Sequence, residues 1–193
     1  MIHAKYKKKI FEEAIKTSHL TYQIGELEGL RQKSKDISVP EIKSQKVKSL
    51  ISKLKSALRE YRRMTGKGRG IAAIQIGVPL RISVVYENKK LMTIINPRIT
   101  KKSSALFSYP EICMSANPII AMVVRPAYLE FEYLNEDGDK QSWNEPDNRI
   151  MNRVFQHEID HMEGIVNIDL VQSKELILNS DPKFLKNAKF EKV

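Results

Sequence analysis

Gln156-His157-Glu158-Ile159-Asp160-His161 constrains what this chain can be more than any other stretch. Two histidines four apart on an α-helix share one face, so both imidazoles can grip a single divalent metal, with the carboxylate of Glu158 beside it. In a His-Glu-x-x-His helix that carboxylate can take a proton from water. The chain holds four histidines and two of them stand here in register, which argues against incidental surface residues. Neighbouring residues favour a helix: Asp147 after Pro146 is the expected N-cap, Ile150, Val154 and Phe155 recur at helical spacing, and Gly164 is a stop. The metal face should therefore run into a buried face.

Two histidines do not complete a site, because a catalytic metal keeps about three protein ligands and one open position. Downstream, Gly164 matches the pattern His-Glu-x-x-His-x-x-Gly-x-x-His, but Asn167 stands where its last histidine belongs. A thermolysin-like glutamate ligand would have to be Glu175 or Glu191, neither in an obvious second helical motif. The metalloprotease hypothesis is weakened accordingly. Upstream, Cys113 is the chain's one cysteine, in Glu111-Ile112-Cys113-Met114-Ser115, and a thiolate is a strong ligand for zinc or ferrous iron.

With one further segment, these residues resemble the peptide deformylase family. Its Gly-x-Gly-x-Ala-Ala-x-Gln motif stands here as Gly68-Arg69-Gly70-Ile71-Ala72-Ala73-Ile74-Gln75, its Glu-Gly-Cys-x-Ser as Glu111 to Ser115 with Ile112 for glycine, and its His-Glu-x-Asp-His is intact. Weaker likeness runs from about Leu27 to Leu170. The resemblance implies antiparallel β-sheets packed around a central helix carrying the two histidines. It also implies removal of the N-formyl group from the initiator methionine of nascent peptides, releasing formate. Cys113, His157 and His161 would hold one divalent ion, Fe2+ in the cell and Zn2+ in purified protein. Glu158 would be the general base, and the Gln75 side chain with the Met114 backbone N–H would stabilise the oxyanion. The segment Gly68, Arg69 and Gly70 would lie against the substrate backbone, as would Ile112. Arg69 replaces a residue that is usually apolar, so a changed preference for residues after the methionine is expected. Glu111 and Asp160 are candidate acceptors for the second ring N–H of the histidines. The second hypothesis is a family member with altered or lost activity serving as a binding module.

Composition limits the alternatives. A chain of 193 residues, 41% hydrophobic, suits a single domain over 1–193, with an N-terminal helical extension at 1–24 and a tail at 173–193. One cysteine excludes an internal disulfide framework and fits a reducing compartment. No run of about 18 apolar residues occurs, and the lysines of the first ten residues precede no apolar signal core, so the expectation is a cytoplasmic protein without a membrane span. Charge is uneven: residues 1–69 hold 18 Lys/Arg against 7 Asp/Glu, a balance of +11, and residues 70–193 hold 15 against 16. A basic N-terminal third suits ribosome or rRNA contact, although a lysine-rich solvated helix face has the same composition.

Local patterning indicates an α+β fold. An amphipathic helix over residues 1–24 has Ile10, Phe11, Ala14 and Ile15 on its apolar side, and Gly25 to Gln45 reads as mostly loop. Lys46 to Met64 should be a helix whose stripe Val47, Leu50, Ile51, Leu54, Leu58 and Tyr61 faces the core. Leu80 to Tyr86 and Leu91 to Ile99 should pair antiparallel, with Pro97 at an end or edge; Ala121 to Val124, Tyr128 to Leu134 and Lys140 to Trp143 add strands, the last two joined at Asp137-Gly138. Ile165 to Val171 is a candidate final strand.

Overall fold

The computed structural model describes residues 2–172, 176–178 and 191–192. Its helices are α1 (Ile2–Thr17), α2 (Leu27–Leu30), α3 (Val39–Ile42), α4 (Gln45–Thr65) and α5 (Arg149–Met162). Its strands are β1 (Gly70–Ala72), β2 (Ile82–Glu87), β3 (Lys90–Lys102), β4 (Leu106–Ile112), β5 (Ile119–Pro126), β6 (Leu129–Leu134), β7 (Lys140–Trp143), β8 (Leu176–Leu178) and β9 (Glu191–Lys192). They form a sheet of order β1-β2-β3-β6-β7 and a second of order β8-β5-β4-β9, antiparallel at every pairing.

Helices α4 and α5 grip opposite faces of the first sheet. The α4 stripe from Val47 to Tyr61 is fully buried and packs on Ile71, Ile82, Val84 and Ile95. Ser44 Oγ caps this helix by accepting from the Val47 N–H at 3.3 Å, and Gly66, at φ 70°, closes it in the left-handed conformation glycine adopts without strain. One residue along the same strands, Val85 and Ile94 point the other way and meet Phe131, Trp143, Met151 and Phe155. A strand covered on both faces is buried at successive positions, and Ile82 to Val85 are all buried, with Ser83 the one polar residue among them. Phe155 anchors α5 against Trp143 and Phe131, with ring centroids 4.6 and 4.9 Å away; burying each such ring contributes about 2 to 3 kcal/mol.

The opposite side of α5 is tied to the second sheet: Arg153 Nη2 donates to the Val123 carbonyl at 2.8 Å and Gln156 Nε2 to the Pro126 carbonyl at 3.1 Å. The histidine-bearing helix therefore lies between the two sheets.

Several local expectations change. The N-cap of α5 is Asn148, whose Oδ1 accepts from the Met151 N–H at 3.3 Å, not Asp147. Ile150, expected in the core, is 44% exposed at the edge of a cleft. Pro97 lies inside β3, at a register shift between Ile95 and Arg98 that spares it a ladder hydrogen bond. Ile165 to Val171 is no strand: Asn167–Leu170 forms a 3-10 turn held by Asp169 Oδ2, which accepts from the Val166 N–H at 2.9 Å. The chain enters it through Gly164 at φ 77°, where a Cβ would stand 2.8 Å from the Arg31 carbonyl carbon. Within the expected loop 25–45, a Ser38–Glu41 capping box and Pro40 nucleate α3. In α1, Ile10 is buried but Phe11 and Ile15 are 45% and 71% exposed, so little of the expected apolar side is used. Strand β4 was not anticipated. Of the expected tail, β8 and β9 join the second sheet; its other residues lie outside the described ones.

Candidate metal centre and active-site cleft

Three segments distant in sequence converge where α5 passes the end of β4. Helix α5 presents His157 and His161 one turn apart, their rings 4.8 Å between centroids. Strand β4 ends at Ile112, and a turn closed by the Ala116 N–H to the Cys113 carbonyl, 3.2 Å, directs the thiol inward. Ligand atoms of Cys113, His157 and His161 all lie within 4.8 Å of one another, and Cys113 Sγ is 3.2 Å from His161 Nε2. Strand β1 and the turn Ala73–Ile76 bring in Gln75, whose Nε2 lies 3.0 Å from Ser115 Oγ and 3.6 Å from Cys113 Sγ.

The donor set fits a divalent transition metal: one thiolate and two imidazoles, close enough for a single ion. Burial pushes the His161 imidazole well toward its neutral form, as a ligand requires. Burial also disfavours the His157 cation, but Cys113 and Glu111 outweigh it and hold a proton on that ring.

Glu111 organises the surroundings. Its Oε2 accepts from His157 Nδ1 at 3.1 Å, which leaves Nε2 of that ring available to a metal. Arg125 reaches both carboxylate oxygens, at 2.7 and 3.1 Å, and Arg153 Nη2 adds a third bond at 2.6 Å. Burial alone would raise the Glu111 carboxyl, but the His157 hydrogen bond and the Arg125 guanidinium hold it well below the usual carboxylate range. Asp160, the other candidate acceptor, instead takes a bond of 2.5 Å from Arg125 Nη1. Arg125 and Arg153 were not singled out from the sequence, where the one signal is a basic residue set into each of two apolar segments.

Glu158 is buried, with Oε2 lacking any hydrogen-bond partner. Burial pushes its carboxyl up to about 7, against the pull of His157 and with the help of Glu111 and Asp160. A Cβ on Gly70 would stand 2.6 Å from Glu158 Cδ, so β1 runs directly over the carboxyl. Gln75 is 1% exposed, although a glutamine alone is more often a surface residue. Its Oε1 accepts from the Ala72 N–H at 2.9 Å, fixing the amide with Nε2 toward the thiol. Ile112 lies in β4 opposite Ile120, without positive φ, so the isoleucine causes no backbone strain.

These groups open onto a cavity of about 300 Å³ lined by Gly68, Arg69, Gly70, Gln75, Ile112, Met114, His157 and Glu158. Tyr61, Tyr109, Ile150 and Val154, none of them singled out as site residues from the sequence, complete its apolar wall. Of the metalloprotease alternatives, Asn167 donates to the Glu111 carbonyl at 3.1 Å and Glu191 lies in β9 opposite Ser108; Glu175 is outside the described residues.

Comparison with known proteins shows what the chain is similar to. The polypeptide deformylase family matches residues 22–176. A peptide deformylase of Agrobacterium fabrum is 39% identical over 129 residues, covering 63% of this chain and 73% of the relative. The structure of the Synechococcus elongatus peptide deformylase in complex with actinonin superposes with a TM-score of 0.68 at 26% identity, covering 80% of this chain and 79% of that one. A probable peptide deformylase from Synechococcus phage S-SSM7 gives 0.67 at 30% identity, covering 78% and 98%.

Proposed function

The chain belongs to the polypeptide deformylase family and removes the N-formyl group from newly made polypeptides, and we propose that Cys113, His157 and His161 hold its metal while Glu158 moves the protons. One observation carries this assignment: a thiol and two imidazoles close enough for one ion stand beside a buried carboxyl whose Oε2 has no hydrogen-bond partner. The bound ion would act as a Lewis acid, polarising the formyl carbonyl and lowering the pKa of water toward neutrality. We assign Fe2+ as the ion in the cell and Zn2+ as a substitute in purified protein; the soft thiolate suits both.

Glu158 takes a proton from water as the water oxygen adds to the formyl carbon. It returns that proton to the amine nitrogen as the carbon–nitrogen bond breaks, giving formate and a free amino terminus. A carboxyl near 7 is well matched to both transfers at neutral pH. Gln75 Nε2 carries two hydrogens; Ser115 Oγ accepts one, and the other, on the thiol side, can meet the oxyanion together with the Met114 backbone N–H. Glu111, clamped by two arginines, holds the His157 ring. Gly68, Arg69, Gly70 and Ile112 form the walls along which the substrate backbone runs.

The same proposal treats 1–193 as one catalytic domain, with the helical extension at its N-terminus largely before the family match at residue 22. No described helix is long and apolar enough to cross a membrane. A cytoplasmic setting keeps the ligand thiol reduced, and the exposed Lys46, Lys48, Lys53, Arg59 and Arg63 of α4 offer a basic face for rRNA, testable by salt-sensitive cosedimentation with ribosomes. The central experiment is formate release from formyl-Met-Ala-Ser with metal content measured on anaerobically purified protein. Glu158→Gln should keep the metal and the fold while losing about 10²- to 10⁴-fold in turnover; wild-type turnover in that variant would assign the proton transfer elsewhere.

A further inference from the structure

We propose that Arg69 selects substrates, favouring formyl-methionyl peptides with an acidic side chain in the second or third position. The proposal rests on the deformylase function above and concerns the peptide beyond the methionine. Among the described residues β1 is the outer strand of its sheet and β4 beyond Ser108 pairs only with β5, so the cleft is flanked by two edges without a strand partner, on which Gln75 already engages the Ala72 N–H and Asn167 the Glu111 carbonyl. An extended peptide fits such edges, advancing ~3.3 Å per residue. With its formyl end at Glu158, beneath Gly70, the peptide leaves past Arg69, one residue farther out on the same edge. Its second and third side chains are then within reach of a long guanidinium.

The charges lining the cleft single out this residue. Glu111 is saturated by Arg125, Arg153 and His157, and Glu158 is buried under Gly70. Lys67 lies 3.4 Å from Glu13 Oε1. Nearby Arg62 donates to the Gly68 carbonyl and covers the Tyr86 ring, 3.6 Å from its centroid. Arg69 is exposed, and among the described residues nothing pairs with its guanidinium; its backbone carbonyl alone is engaged, by the Tyr86 N–H at 2.7 Å. Among the described residues the rim carboxylate of Glu13 is engaged by Lys67, so a substrate carboxylate is a group the Arg69 guanidinium can pair with.

The test compares kcat/KM for formate release from formyl-Met-Asp-Ser, formyl-Met-Ala-Asp, formyl-Met-Ala-Ser and formyl-Met-Lys-Ser, at low ionic strength, by metal-replete wild type, Arg69→Leu and Arg69→Glu. Attraction of one charge and repulsion of the other add, so at least one aspartyl peptide should exceed the lysyl peptide by about tenfold in wild type. That ratio should fall near one in Arg69→Leu, invert in Arg69→Glu, and shrink with added salt. Ratios do not depend on the fraction of active enzyme, so partial misfolding of a variant leaves them readable. Formate release from all four peptides at equal efficiency, or a ratio unchanged in Arg69→Leu, would overturn the assignment while leaving deformylation intact. No formate from any peptide would overturn both.

Discussion

Gly70→Ala isolates the contact between β1 and Glu158, the proposed general base. The new Cβ would stand 2.6 Å from Glu158 Cδ and 2.8 Å from Cγ, where carbon–carbon contacts normally sit at ~3.5 to 4.0 Å. The Glu158 side chain must therefore retreat by roughly 1 Å. Gly70 is not among the positive-φ residues, so alanine suits the backbone and the perturbation is spatial. Glu158 is buried and has little room for that retreat; overpacking of this kind costs about 1 to 3 kcal/mol. A misplacement near 1 Å at a reacting group costs about 10²-fold in rate. Gly70→Ala should thus keep its metal, melt a few degrees lower and lose ~10²-fold in kcat.

The assay is formate release from formyl-Met-Ala-Ser at matched metal content, run also in a Glu158→Gln background. There the carboxylate is already gone, so adding Gly70→Ala should cost little more activity, the non-additivity expected when one residue acts through another. Two results would refute the reasoning: a wild-type kcat for Gly70→Ala, or a further ~10²-fold loss on top of Glu158→Gln, which would mean that alanine acts on the peptide instead.

Other substitutions separate ligand, support and wall. Cys113→Ser should lower bound metal by about tenfold or more, because the soft ligand is lost; elemental analysis showing full occupancy would remove Cys113 from the ligand set. Arg125→Leu strips two hydrogen bonds from buried Glu111 and one from Asp160, and thermal or urea unfolding should show a loss of about 3 kcal/mol or more; a loss below about 1 kcal/mol would mean that Arg153 alone suffices. Ile112→Gly should change kcat/KM by less than about tenfold while costing about 1 kcal/mol of stability, since extended isoleucine is unstrained and glycine loosens a strand; a tenfold gain in activity would reveal an obstruction by the side chain.

The proposed ligands and base were legible because metal chemistry admits few residue types and a helix imposes their spacing: His157, Glu158 and His161 can be read as candidates without knowing what surrounds them. The α4 stripe was legible for the same reason, a period matched to one element. Strand β4 was not, because its face pattern is broken by Ser108, Pro110 and Glu111, which serve an edge and a site rather than a core. Ile165 to Val171 reads as a strand because apolar Ile165, Val166 and Ile168 resemble one, whereas Asp169 both caps the Asn167–Leu170 turn and accepts from Arg31 Nη2 at 2.6 Å, a residue 138 positions away.

The supports of the metal centre raise the same difficulty more sharply. Glu111 meets Arg125 across 14 residues and Arg153 across 42, and nothing in local spacing says which of 33 basic residues will close on one carboxylate. A chain with leucine at 125 would carry the same three motifs and the same ligands. Its His157 ring would be oriented by a carboxylate held on one side only, and its Asp160 would be left to solvent. The motifs identify the chemistry; the arginine clamp decides how firmly His157 is held, and that depends on contacts made only once both sheets have closed on α5.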